Sequence, residues 1–259
     1  MRELLILAAL LITIGSTAQV PFRSETVTIN GKPMYYEVYG SGEPLFLFHG
    51  GFMSSRAWLS YVDAYDDHFQ VYLVDLPGHG RSYPFKDTPS IESAAVDVHA
   101  LLQYLEVDSI KGIGYSYGGF MLYELTKLDP SMVEAFIPIG ACGEIILKDL
   151  PPDFLKYFMK EATKIAKAYQ LSQAHLDGVA KFEQSDPVKT SNEDFQKIKS
   201  RVLIVFGDDD FALHWSELAR ARKHIPNSDL WIIPNMGHGA HEGANKEEFI
   251  KVSTTFLKG

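Results

Sequence analysis

The chain has 259 residues, 46% hydrophobic and 22% charged, the balance of an ordinary globular protein long enough to bury one large core. Its formal net charge of −9, with the lysines of the middle region alternating with acids, argues against a nucleic-acid partner and reads as a solubilising surface. Cys142 is the single cysteine, which excludes an intramolecular disulfide; with no thiolate-stabilising neighbours in sequence, it is expected to be buried and inert.

The N-terminus has the layout of a secretory signal peptide. Met1-Arg2-Glu3 is a charged lead, residues 4–14 form an apolar run of eleven, and Gly15-Ser16-Thr17-Ala18 supplies small residues for cleavage after Ala18. Eleven apolar residues fall well short of the roughly 20 that span a bilayer. No cysteine follows the run, so a lipid anchor has no attachment point. The expectation is a leader at residues 1–18, one exported domain at 19–259 (periplasmic or secreted), and no stable membrane insertion after cleavage. An uncleaved N-terminal anchor is the alternative.

Residues 24–30 alternate apolar and polar, Asn30-Gly31 is a two-residue hairpin turn, and residues 34–39 are the partner strand. Gly40-Ser41-Gly42 breaks that strand. Residues 45–48, 71–74, 133–139, 202–206 and 230–233 are continuous apolar runs, the mark of strands covered on both faces, and residues 107–113 end in a shorter one. Helical patterns lie between them, at 55–65, 91–106, 120–128, 215–224 and 246–257. This order predicts an α/β fold: an open, mostly parallel sheet with helices on both faces. Residues 144–199 depart from the alternation. They carry helical patterning (Phe154 and Leu155 with Phe158, Met159, Ala162 and Ile165), opened by Pro151-Pro152 and interrupted at Asp186-Pro187. They are expected to form a helical cap over the carboxyl edge of the sheet. Phe154, Phe158, Met159, Tyr169 and Phe182 are candidates to line an apolar pocket there, although amphipathic helices bury such residues in any case.

In open α/β sheets, ligands sit beyond the carboxyl ends of the strands. Four loops leaving such ends carry reactive residues. His49-Gly50-Gly51-Phe52 has glycines that let backbone amides approach a substrate, with Gly51 the natural N–H donor, Phe52 second, and His49 a structural hydrogen-bonding residue. Gly114-Tyr115-Ser116-Tyr117-Gly118 lies at a strand-to-helix turn, which forces Ser116 into an exposed, strained position and offers the Tyr117 N–H as a second donor. Gly207-Asp208-Asp209-Asp210 supplies a carboxylate to orient a base, with Asp210 favoured and Asp208 its rival. The aspartates lack the spacing of a calcium loop. His238 in Asn235-Met236-Gly237-His238-Gly239 is the candidate general base, favoured over His241 because it lies nearer the strand end between glycines. His238, His241 and Glu242 lack the H-E-x-x-H spacing of a zinc site, so neither metal nor cofactor is expected.

The order Ser116, Asp210, His238 behind a His-Gly-Gly loop resembles the α/β-hydrolase family over residues 25–258. Asp75-Leu76-Pro77-Gly78-His79-Gly80-Arg81-Ser82 is similar to the family's D-x-x-G-x-G-x-S structural turn, and Gly207-x-x-Asp210 to its acid loop, which favours Asp210 over Asp208. The branch that looks nearest is the single-domain one with a helical cap, which holds esterases, enol-lactone and carbon–carbon bond hydrolases and proline iminopeptidases. A serine at the elbow argues against haloalkane dehalogenases and epoxide hydrolases. The resemblance implies a serine hydrolase acting on a small-molecule acyl substrate through an acyl-enzyme. The alternatives are a hydrolase-fold ligand-binding protein, a peroxidase- or lyase-like activity, or a peptidase of the iminopeptidase type.

Overall fold

The computed structural model of the chain describes residues 20–87, 90–145, 152–179, 181, 188–211 and 214–259. The leader expected at residues 1–18 lies outside them, as do Phe182 and the side chain of Phe154. Among the described residues no helix is long and apolar enough to cross a membrane.

The chain opens with β1 (Arg23–Ile29) and β2 (Lys32–Tyr39), joined at Asn30 (φ 49°) and Gly31 (φ 74°). Two consecutive positive φ angles make the tight turn whose twist matches an antiparallel hairpin. Next come β3 (Glu43–Phe48), a 3-10 segment (Ser55–Tyr61), α1 (Val62–Tyr65), β4 (Phe69–Asp75) and α2 (Ile91–Tyr104). Then follow β5 (Ile110–Tyr115), α3 (Tyr117–Leu128) and β6 (Val133–Ile139). The cap region holds β7 (Glu144–Ile145), α4 (Pro152–Ala168), α5 (Gln173–Val179), β8 (Val188–Lys189) and α6 (Asn192–Lys197). The chain closes with β9 (Arg201–Gly207), α7 (Trp215–His224), β10 (Ser228–Ile233) and α8 (Lys246–Lys258).

Eight strands form one sheet in the order β1-β2-β4-β3-β5-β6-β9-β10. β2 runs antiparallel to β1 and β4, and every later pairing is parallel. Period-two alternation splits each central strand between two cores. Phe46 and Phe48 face α2, α3 and α7, while Leu45 and Leu47 face the 3-10 segment, α1 and α8. Both faces are dry, which is why these strands read as unbroken apolar runs. The expected α/β architecture is present.

Three local features differ from expectation. Residues 55–65 are a 3-10 turn followed by a single helical turn rather than one α-helix. Ser55, Trp58 and Tyr61 are its buried residues, a spacing of three, and 3-10 geometry is what aligns residues i and i+3 on one face. β5 begins at Ile110 rather than 107, because Glu106 turns left-handed (φ 56°) and the Val107 N–H closes α2 on the Leu102 carbonyl at 3.2 Å. The cap contains a strand pair, β7 with β8 in antiparallel register Glu144↔Lys189. Two residues per strand are too few to leave a periodic signature.

The cap sits on the sheet through Phe52, which packs with Ala162, Ala166 and Leu171. α5 is tied down by His175, whose Nε2 lies 3.0 Å from the Ser82 carbonyl and whose Nδ1 is 2.7 Å from Ser172 Oγ. Cys142 is buried as expected, and that burial pushes its thiol up to about 12.

Candidate active site

The turn from β5 to α3 places Ser116 at φ 49° and ψ −110°, a backbone state that L-residues avoid. Packing on both sides holds it there. A Cβ on Gly114 would overlap the Gly118 carbonyl, and one on Gly118 would overlap the Phe48 carbonyl. The Ser116 N–H donates to the Ile139 carbonyl at 2.7 Å, and its own carbonyl accepts from Gly119 and Phe120 at 2.9 and 3.1 Å. The residue is half-buried at the sheet's carboxyl edge.

The His49 loop lies beside this turn. His49 is fully buried, and burial holds its pKa below the ordinary histidine value. Its Nε2 accepts the Leu76 N–H at 3.0 Å, which leaves the proton on Nδ1 to donate to the Gly50 carbonyl at 2.7 Å. His49 therefore sets the path of the loop. A Cβ on Gly51 would stand 3.7 Å from the Tyr117 Cβ, so the two expected N–H donors belong to adjoining backbone segments. Phe52 follows with φ 67°.

The three aspartates differ in burial. Asp208 and Asp209 are exposed, while Asp210 is buried. His238 Nδ1 lies 2.9 and 3.0 Å from the two Asp210 carboxylate oxygens. The pair rests on Gly140 (φ 61°), where a Cβ would come within 2.8 Å of the imidazole and 3.2 Å of the carboxylate. Gly140 directly follows Ile139, the residue that holds the Ser116 N–H. Tyr115, immediately before Ser116, puts its ring 5.2 Å from that of His238. Serine, histidine and aspartate thus converge on the ends of β5 and β6.

His241 belongs to the core. Its ring packs 5.0 Å from Trp58, 4.8 Å from Tyr115 and 5.7 Å from Phe249, and burial pushes it down to about 3. Asp75 is structural as well: it accepts from the Ser55 N–H at 2.7 Å and from Arg81 N and Nε at 2.8 and 3.0 Å, binding the turn at 75–82 to the loop after β3.

Sequence reasoning missed the aromatic wall. The Phe211 ring lies tilted 4.6 Å from that of His238, Phe158 of α4 lies 6.1 Å from Phe211, and Phe52 lies 6.1 Å from Phe158. Phe158 was a lining candidate; Phe211 was not, although it directly follows the acid. His79 fills the space behind, 5.3 Å from Tyr117 and 6.4 Å from Phe52, with burial pushing it down to about 3. Among the described residues no group of histidines, cysteines and carboxylates is placed to hold a metal ion.

Residues 45–252 match the alpha/beta hydrolase family. The chain is 26% identical over 249 residues to a pimeloyl-[acyl-carrier protein] methyl ester esterase from Nitrosospira multiformis, covering 79% of this chain and 91% of the relative. It is 24% identical over 233 residues to an (E)-2-((N-methylformamido)methylene)succinate hydrolase from Acinetobacter baylyi, covering 83% and 84%. A meta-cleavage product hydrolase from Pseudomonas fluorescens superposes with a TM-score of 0.75 over 90% of this chain and 97% of its own, at 19% identity.

Proposed function

The chain belongs to the alpha/beta hydrolase family, and from that membership we propose that it is a serine hydrolase cleaving a carboxylic ester, or a related acyl bond, of a small molecule. The observation that carries this reading is the buried Asp210 hydrogen-bonded to His238 beside the strained Ser116 turn. In this mechanism His238 takes the Ser116 proton as Oγ attacks the carbonyl carbon. Asp210 holds the imidazole with its proton on Nδ1, so that Nε2 is the accepting atom, and stabilises the imidazolium that forms. The Gly51 and Tyr117 N–H groups receive the oxyanion, each contributing about 3 kcal/mol. His238 then protonates the leaving group, and water repeats the cycle on the acyl-enzyme.

The wall of Phe52, Phe158 and Phe211 favours an apolar acyl or alkyl portion. Esterase activity is the closest parallel among the named relatives, of which one acts on a methyl ester. A fluorophosphonate probe, followed by mass mapping, tests the reading. Labelling at Ser116 is expected; an unlabelled chain would identify a non-hydrolytic scaffold. Residues 1–18 are proposed to direct export, and a mature N-terminus at Gln19 is the expected result of sequencing the protein from a secreting host.

A further inference from the structure

The loop that carries His238 holds a second carboxylate, which the reaction above does not use. Glu242 closes a turn on Gly239, N–H to carbonyl at 3.0 Å, and its carbonyl accepts from the Asn245 N–H at 3.2 Å. The side chain folds back along the loop: a Cβ on Gly239 would lie 3.2 Å from Glu242 Oε2. The carboxylate thus lies over the residue next to His238, with 35% of the side chain exposed.

Among the described residues no lysine or arginine nitrogen lies within 4 Å of the Glu242 carboxylate. His241 Nε2 is 3.6 Å away, but that ring is pushed down to about 3 and is neutral near pH 7. Lys246 donates instead to the Ser60 carbonyl and hydroxyl at 2.7 and 2.8 Å, over the Tyr61 ring. Burial accordingly raises the Glu242 carboxyl above its ordinary value, against the weaker pull of His238 and Lys246. Tyr115 lies beneath the Gly50 loop, its ring 4.8 Å from that of His241 and 5.2 Å from that of His238. A cation bound beside the Glu242 carboxylate would favour its charged form and offset the effect of that burial.

Resting on the hydrolase reading above, we propose that Glu242, with Tyr115, forms a subsite beside His238 for a cationic group of the substrate, an ammonium in the simplest case. The carboxylate supplies the counter-charge, and the phenol supplies an aromatic face. The preferred substrate then joins an apolar part, against the phenylalanine wall, to a cationic part near Glu242.

Paired compounds that differ only in charge test this. On the leaving-group side, a thiocholine phosphonate is compared with its neutral 3,3-dimethylbutylthio analogue by rate of Ser116 modification. On the acyl side, p-nitrophenyl 6-aminohexanoate is compared with p-nitrophenyl heptanoate by kcat/KM. The expected result is a preference of about tenfold or more for the charged member of at least one pair, falling to near parity in Glu242→Gln. Ratios within about twofold for both pairs in the natural chain, or a preference that survives Glu242→Gln, would overturn the proposal. The natural ratios stand without the variant and decide the proposal should Glu242→Gln not fold. If the neutral phosphonate fails to modify Ser116, the hydrolase reading itself falls, and this subsite with it.

Discussion

At the sheet rim, backbone geometry does the positioning; under the cap, side chains do. Gly114, Gly118 and Gly140 cannot bear a Cβ without collision, and each sits against a catalytic candidate or the strand that supports one. Phe158 reaches the same site from α4 through ring contacts 6.1 Å apart, with no hydrogen bond to the sheet. Substitutions in the rim are therefore expected to act on the chemistry and substitutions in the cap on selectivity, with Glu242 the proposed exception.

The sharpest way to break that division is Ser116→Ala. Turnover of p-nitrophenyl butyrate should fall by about 10^6 in kcat with the fold intact, since the loss of a catalytic serine has that scale. Substantial residual turnover would remove Ser116 from the mechanism. Asp210→Asn should keep His238 near its position but present the wrong tautomer, lowering kcat about 10^4-fold.

Acid should act on the sheet side next. His79 and His241 are pushed down to about 3 in the fold by burial, against about 6.5 in an unfolded chain. The unfolded state thus takes up protons first. The stability these rings contribute is fully present above pH 6.5 and drains as pH falls toward 3. Between pH 6.5 and 5 each should withdraw about 2 kcal/mol, readable as a lower urea midpoint at the same slope. A midpoint unchanged from pH 7 to 5 would mean that neither ring is held neutral.

On the cap side, Phe158→Ala should shift the preferred acyl length by about tenfold in relative kcat/KM across a graded ester series, while leaving the Ser116 probe reaction in place. Asp208→Asn closes the sequence. Its side chain is exposed, so both activity and stability should stay within about 0.5 kcal/mol of the natural chain.

The same division explains what could be read before any coordinates. Buried parallel strands announce themselves as apolar runs, and turns that require glycine announce themselves as motifs, so the strands and turns of the rim were legible; Gly51 and Tyr117 stand as the proposed N–H donors. Asp210 is favoured over Asp208 by the Gly207-x-x-Asp210 spacing, and it is Asp210 that is buried beside His238. What stayed hidden depends on tertiary neighbours. Phe211 is one phenylalanine among 16 until His238 packs against it. The 3-10 segment at Ser55–Tyr61 shares its apolar pattern with an α-helix of equal length. Glu242 read only as part of a weak metal-site pattern with His238 and His241, because nothing local reveals that its carboxylate folds back over Gly239.

The short pairing of β7 with β8 brings Glu144 beside Lys189, and the Thr190 N–H fastens to the Gly143 carbonyl at 3.1 Å. Departure and return of the chain are stapled at one spot on the scaffold. Closing a loop grows only logarithmically harder with its length. The segment between those staples is thus expected to behave as a cassette: grafts of other sizes spliced in at residues 144 and 189 should leave the sheet beneath folding as before.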